Sequence, residues 1–296
     1  MDEFSTEVMA FMRECTGKEP QWRCVSGAGV CVDAEERLAA VIVPLDFFRS
    51  GGTAERLISV EAAISELTAA DRMFLYEDRW RNSGTAVRAM MRVRMGQGLR
   101  VFARNCDVRP IAPETAAAFL QRNHVYGSAR ARYRLGLFRV RSTGNAEAGM
   151  DRTPGMVAVA TFSSGQLRED GTLSYEWVRY ASAQGIRVVG GMGRLLDAFV
   201  TTVGDGTPVD VMTYADLEWY DGRSYRRLGF KPCGDRAPVW FLCRPGCPGR
   251  QICRSGAALD EDDGVRICNL GSRKYVLRKR QCLNARGACR QEKQSC

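Results

Sequence analysis

Val188-Val189-Gly190-Gly191-Met192-Gly193-Arg194-Leu195-Leu196 is the stretch whose reading decides the fold. A short apolar strand runs into consecutive glycines and re-emerges with apolar residues at helical spacing. Such a turn exposes backbone N–H groups at a helix N-terminus, a geometry suited to phosphate or pyrophosphate. Glycine permits close approach and positive φ there. The same turn also serves tight packing of a helix on a sheet, so both readings stand. Working outward, Pro113 to Arg122 reads as a helix, and Tyr133 to Val140, Met156 to Phe162 and Ser174 to Ala181 read as strands. Downstream come a helix from Gly191 to Val203, a buried strand from Val209 to Tyr214, a short helix from Gly222 to Leu228 and a last strand from Val239 to Cys243. Strands first, then strand–glycine turn–helix–strand–helix–strand, predicts a mixed α/β (α+β) domain.

Three regions follow from this centre. Residues 1–108 are expected to form an N-terminal α/β domain. It has an amphipathic helix from Thr6 to Cys15, a buried strand from Leu38 to Val43, and a helix from Ser59 to Leu67. A strand from Arg72 to Tyr76, a basic helix from Gly84 to Met95 and a strand from Leu99 to Arg104 complete it. Residues 109–243 form the central domain. Residues 244–296 read as a basic, Cys-rich tail in which only Val265 to Leu277 has the pattern of ordered structure.

The chain carries 43 Lys and Arg against 34 Asp and Glu, a net charge of +9 that favours an anionic partner. DNA or RNA is the expected macromolecule. The only lysines are Lys18, Lys231, Lys274, Lys279 and Lys293, so nearly all positive charge is arginine. A GC-rich genome gives the same skew without selection for phosphate binding. No apolar run is long enough to span a membrane, and Met1-Asp2-Glu3-Phe4 lacks the pattern of a secretory signal. The expectation is a cytoplasmic protein whose twelve cysteines are reduced thiols or metal ligands rather than a disulfide framework.

The glycine turn is followed by Tyr225-Arg226-Arg227-Leu228-Gly229-Phe230. Together they resemble the two main motifs of the GNAT acyltransferase superfamily. That resemblance implies an acyl-CoA pyrophosphate, as of acetyl-CoA, on Gly190, Gly191, Gly193 and Arg194, with Arg187 nearby. It also implies Tyr225 as the acid that protonates the departing thiolate, a role a phenol suits because it is protonated at pH 7. Val188 stands where the family usually has Gln or Arg, and Arg187 is one residue out of register. A narrower resemblance covers more of the chain. Phe119 to Gly127, Leu135-Gly136-Leu137, Tyr175 to Tyr180, Thr213-Tyr214-Ala215-Asp216 and Asn269 to Tyr275 are similar, in order, to the C-terminal domain of Hef-type phage homing endonucleases and related mobile-element proteins.

His124, the only histidine, Asp216 and Tyr225 are candidate catalytic residues, with Glu176 as acceptor of an amine proton. Imidazole, carboxylate and phenol also suit a transition metal, and Mom-type DNA-modification enzymes, which this chain loosely resembles, use such a set. Trp177, Trp219 and Tyr220 are candidates for base stacking or for packing. Upstream, the Hef resemblance implies a restriction-endonuclease-like N-terminal domain, with Val43 to Asp46 and Tyr76 to Trp80 at the expected places. No lysine lies between Lys18 and Lys231 to complete a metal-dependent nuclease site. A degenerate nuclease scaffold is therefore expected, holding nucleic acid through Arg88, Arg92 and Arg94, with Arg79 and Arg81 beside them. Cys243, Cys247, Cys253 and Cys268 offer four thiolates for zinc, without a Cys-x-x-Cys pair; incidental thiols are the alternative. Three functions remain open: an acyl-CoA-dependent N-acyltransferase, a non-catalytic nucleic-acid-binding accessory protein, and, least expected, a nuclease.

Overall fold

The computed structural model describes residues 1–140, 155–204, 209–219, 221–244, 247, 249–253 and 264–279. It is a mixed α+β structure. Helix α1 (Glu3–Thr16) starts on Asp2, whose carboxylate accepts from Ser5 N at 2.7 Å, and stops at Gly17 in the left-handed conformation. Strands β1 (Gln21–Val25) and β2 (Ala28–Val32) form a hairpin that was not anticipated from the sequence, joined by Ser26 and Gly27. Strand β3 (Leu38–Val43) pairs antiparallel with β2. Helices α2 (Leu45–Arg49) and α3 (Ala54–Leu67) then cross over, and β4 (Asp71–Tyr76) returns parallel to β3.

All six residues of β3 are buried because both faces of this four-stranded sheet are covered. Leu38, Ala40 and Ile42 pack with α1 residues Phe4, Val8 and Met12. Ala39, Val41 and Val43 face Leu57, Val60 and Ile64 of α3. Helices α4 (Glu77–Asn82) and α5 (Gly84–Arg94) close the first of these faces through Trp80, Val87 and Met91. Strand β5 (Leu99–Phe102) leads away.

The second body is built on a sheet of β6 (Cys106–Pro110), β7 (Tyr133–Arg139), β8 (Met156–Phe162), β10 (Leu173–Ser182), β12 (Val209–Asp216), β17 (Ser272–Lys279) and β13 (Lys231–Arg236), in that order across it. The short β9 (Gln166–Leu167) adds to β10. Helix α6 (Pro113–Asn123) joins β6 to β7. Strand β11 (Ile186–Val189) follows β10, and α7 (Gly191–Val203) follows the glycine turn. β11 leaves the main sheet to pair in parallel with β5. Phe162 and Phe199 stack with ring centroids 3.8 Å apart where α7 crosses the sheet.

One junction in this sheet matters for function. Residues Leu173 to Glu176 of β10 pair in parallel with Val209 to Met212 of β12. From Trp177 to Ser182 the same strand pairs antiparallel with β8, after a register shift between Trp177 and Arg179. The β10–β12 ladder therefore ends at Glu176 and Met212, and the strands separate beyond it.

The expected tail beyond residue 243 behaves differently from a tail. β17 lies in the interior of the central sheet, antiparallel to both β12 and β13, because Tyr275 and Leu277 alternate inward. Strands β14 (Trp240–Cys243), β15 (Gln251–Ile252) and β16 (Val265–Cys268) make a small sheet of their own. Val265, Ile267 and Leu270 belong to the same apolar cluster as Val41 and Phe74 of the N-terminal sheet. The C-terminal segment thus completes both bodies. Among the described residues no helix is long and apolar enough to cross a membrane.

Candidate functional site

Where β10 and β12 separate, a cavity of about 1300 Å³ opens toward the N-terminal body. Its walls come from β10, the end of β12, the turn at Asn123 to Tyr126, helix α8 (Arg223–Arg227) and helix α5. Nine arginines and four carboxylates line it, an excess of positive charge even though Arg37 and Arg250 pair with Glu35, Asp78 and Glu218 outside the lining.

Tyr225 sits at the crotch of the opening. It is buried among Trp177, Phe230 and Tyr275, with ring centroids 5.6 to 6.0 Å away. The Thr213 hydroxyl donates to the Trp177 carbonyl at 3.1 Å, bridging the separating strands, and lies 3.3 Å from the Tyr225 hydroxyl.

His124 caps the end of α6 and also lines the cavity. Its Nδ1 accepts from Tyr126 N at 3.1 Å. Burial, with Arg179 nearby, pushes its pKa down to about 4. The imidazole is neutral at pH 7 with its proton on Nε2, so it serves as a hydrogen-bond donor rather than a base.

Next to it, the Tyr126 hydroxyl donates to the Asp216 carboxylate and accepts from Trp219 Nε1 at 3.4 Å. Burial raises Asp216 above the usual carboxylate range, against the opposing effect of the Tyr126 bond. Two residues on, Glu218 is fully buried. One of its oxygens accepts from Arg250 Nη1, while Oε2 has no partner among the described residues. Burial pushes its pKa up to about 7 although Arg250 opposes this. The Glu218 carbonyl accepts from Phe74 N at 2.7 Å, which closes the free edge of β4. Arg250 in turn binds Asp78 and lies over the Tyr76 ring at 4.7 Å.

Of the residues singled out in the sequence, Tyr225, His124 and Asp216 therefore share one cavity. Glu176 does not line it; its N–H donates to Ser163 Oγ at 2.8 Å at the end of the β10–β12 ladder. The glycine turn divides between two cavities. Arg187, Val188 and Met192 face the main one, whereas Gly190, Gly193 and Arg194 line a second groove of about 1050 Å³ with Phe102, Arg104 and Arg109. Gly190 is left-handed, with φ 78°, and a Cβ on Gly191 would stand 2.7 Å from Val188 Cγ1.

The arginines of α5 are largely committed to holding that helix. Arg88 stacks on Trp80 at 3.8 Å, and Arg92 lies over Phe11 with Glu14 3.6 Å away. Arg94 donates to the Arg72 carbonyl at 3.2 Å and is the only one of the three that lines the cavity. Trp177 and Trp219 are buried, and Tyr220 lies outside the described residues.

The four-thiolate zinc site does not assemble. Cys243 pairs with Val265 and Cys268 with Trp240, at opposite ends of the β14–β16 ladder. Cys253 N donates to the Trp240 carbonyl from the other side of β14, and Cys247 is exposed near Arg244. Thiolates placed this way cannot share one tetrahedral ion with bonds of about 2.3 Å. Among the described residues no group of three His, Cys, Asp or Glu side chains is placed to hold a metal.

The N-terminal carboxylates are likewise occupied. Asp33 caps Leu38 N at 2.6 Å, Glu77 accepts from Leu45 N at 3.0 Å, and exposed Asp46 pairs with Arg49. β3 contains no carboxylate at all. Sequence reasoning did not single out Tyr126, Arg179 or Arg250. Arg250 lies in a Gly-, Pro- and Cys-rich stretch with no periodic pattern to mark it, while Tyr126 stood two residues from the histidine that drew attention. No protein-family model matches the chain, and no curated protein matches it.

Proposed function

We propose that the chain is a GNAT-like protein of mobile-element type that acts at nucleic acid, taking a phosphate-bearing ligand into the arginine-lined cleft between β10 and β12. The observation that carries this reading is the lining of the cleft: nine arginines from both bodies face a cavity that includes the point where the parallel β10–β12 pair opens. The seven-strand order, the helix entered through glycines between the two strands of the pair, after β11, and Tyr225 in the helix after the second support the GNAT resemblance. The N-terminal order of helix, three-stranded meander, crossover and parallel fourth strand supports a restriction-endonuclease-like ancestry. Its carboxylates cap backbone or pair with arginines, which favours binding over cleavage.

Acyl transfer is the second reading, favoured by the Tyr225 hydroxyl at the mouth of the strand opening. In that reaction a neutral amine nitrogen forms a bond to the thioester carbonyl, the C–S bond breaks, Tyr225 gives its proton to the thiolate, and the proton lost by the nitrogen passes through water to restore Tyr225. The base for the amine is the weak part, since Glu176 lies off the cleft and His124 is a poor proton acceptor.

The test is the melting temperature of the purified chain with acetyl-CoA, with CoA-free buffer and with short single-stranded DNA. A ligand at about 100 times its Kd adds about 2.7 kcal/mol. Stabilisation by DNA supports the main reading. Saturable stabilisation by acetyl-CoA alone makes acyl transfer primary, with loss of turnover in Tyr225→Phe as its check. No shift with either overturns both.

A further inference from the structure

We infer that Arg79 and Arg179 form a two-guanidinium clamp for one phosphate group, built across the Tyr126 ring from the two bodies of the molecule. The inference rests on the reading of the cleft as a phosphate site and names where in it the ligand is gripped. Arg79 belongs to α4 of the N-terminal body, and Arg179 to β10 just past its register shift. Both line the cavity. The Arg79 guanidinium lies 4.6 Å from the Tyr126 ring centroid and that of Arg179 6.0 Å from it.

The lack of a carboxylate partner for either guanidinium among the described residues is what points to an anionic ligand. Arg250, by contrast, makes three hydrogen bonds to Asp78 and Glu218. The Arg79 guanidinium makes no hydrogen bond or ion pair among the described residues, and that of Arg179 donates only to the carbonyl of Val178 beside it. The Nε atoms of both are buried without an acceptor. Holding two guanidinium charges beside one another with few partners is costly, and an anion in the cavity that both residues line offsets that cost through their outer nitrogens. The neighbouring carboxylates do not fill that role: Asp216 accepts from Tyr126, and Glu218 accepts from Arg250.

Two planar forks lining the same cavity suit the several oxygens of a phosphate better than one carboxylate. Arg187, Arg223 and Arg227 further along the cleft offer contacts to successive phosphates. The ligand class is therefore a phosphodiester strand or a free nucleotide, which share this chemistry.

The experiment measures fluorescence anisotropy of a labelled single-stranded oligodeoxynucleotide across a salt series, with ATP as competitor, for the intact chain and for Arg79→Gln/Arg179→Gln. Arg49→Gln, an exposed position paired with Asp46, is the control. The double variant is expected to weaken binding by tenfold or more and to lower the salt slope by about 0.7, as loss of one neutralised phosphate requires. Its ligand-free melting temperature should fall by no more than loss of the Tyr126 ring contacts and one bond to the Val178 carbonyl explains, a few degrees at most, whereas a merely structural pair would lower it further. Arg79→Lys/Arg179→Lys keeps the charge, so it should keep the slope and lose affinity. ATP competition that the double variant abolishes identifies a nucleotide ligand; strand binding that ATP does not displace identifies the strand. Unchanged affinity and slope in the double variant overturn the clamp while the cleft reading stands. Absence of binding by the intact chain overturns both.

Discussion

Arg250 donates two hydrogen bonds to the Asp78 carboxylate, at 2.8 and 3.1 Å, across 172 positions of sequence. The side chains are only 3% and 4% exposed, and Glu218, fully buried, accepts from the same guanidinium. This one arginine thus joins the helix after β4, the loop after β12 and the segment before β15. The desolvation of such ions is expensive, so the cluster holds only while it is complete. Arg250→Met is expected to destabilise the chain by about 3–5 kcal/mol, as removal of one partner from a buried pair does. Urea unfolding checks this, and the double variant with Asp78→Asn should recover part of the loss. Equal destabilisation by single and double variants would remove the pair from the account.

Glu218 and His124 act on stability in opposite directions. The folded pKa of Glu218 is raised, from an ordinary 4.5 to about 7. The folded state binds the extra proton between these values, so this contribution is complete below pH 4.5 and is lost as pH rises to 7. The folded pKa of His124 is lowered, from 6.5 to about 4. Its contribution is complete above pH 6.5 and is lost as pH falls to 4. Between pH 4.5 and 6.5 the two slopes cancel. Relative to the intact chain, Glu218→Gln should therefore gain stability with rising pH between 4.5 and 7, and His124→Asn should lose it between 4 and 6.5. Denaturation at a series of pH values reads both, and parallel profiles for all three proteins would show that neither group is perturbed.

Much of the scaffold was legible because its signals are local. Leu38 to Val43 is a run of six apolar residues and was read as a buried strand to the residue. Met156 to Phe162 and Gly191 to Val203 were likewise placed to the residue, the second on its glycines and its helical spacing. What escaped was set by contacts rather than pattern. β13 is Lys-Pro-Cys-Gly-Asp-Arg, exposed throughout, and is a strand only because β17 pairs with it. β17 looked like part of a tail because its sheet partners lie far upstream in β12. In the site, Tyr225, His124 and Asp216 were found by residue type and motif. Arg79 was named with the N-terminal arginines expected to hold nucleic acid, but its pairing with Arg179 and the Asp78–Arg250 pair were not foreseen, since two distant segments must first meet before either pair exists. The cysteines misled in the converse way: spacing suggested one cluster, and strand pairing sends Cys243 and Cys268 to opposite ends of a ladder.

The two inner glycines of the α7 turn are predicted to differ. A Cβ on Gly191 would stand 2.7 Å from Val188 Cγ1 and 3.0 Å from the Tyr180 hydroxyl, so Gly191→Ala should cost about 1–3 kcal/mol through overpacking. At Gly193 the nearest atom is Leu228 Cδ2 at 3.3 Å, and the gain in helix propensity of up to about 1 kcal/mol offsets the crowding. Gly193→Ala should therefore melt near the intact chain. It also separates the two readings of the turn: acetyl-CoA stabilisation that disappears in Gly193→Ala puts a pyrophosphate on the second groove, and stabilisation that survives leaves the glycines to packing.

The hairpin of β1 and β2 supplies the last prediction. Its two loop residues, Ser26 and Gly27, have φ of 50° and 78° between the paired Val25 and Ala28. Positive φ at both central positions of a two-residue loop is the twist-matched turn for a hairpin, and asparagine followed by glycine is its preferred sequence. Serine at the first position bears a steric cost that asparagine partly avoids. Ser26→Asn should raise stability by about 0.5–1 kcal/mol, of the size common for optimised local sites. The reverse change in logic, Gly27→Ala, should lower it, because its φ is strained for any side chain and its Cβ would meet Arg56 Nη2 at 3.1 Å. Melting temperatures of the two variants moving in opposite directions check the turn, and a stabilising Gly27→Ala would mean that the loop adopts another conformation.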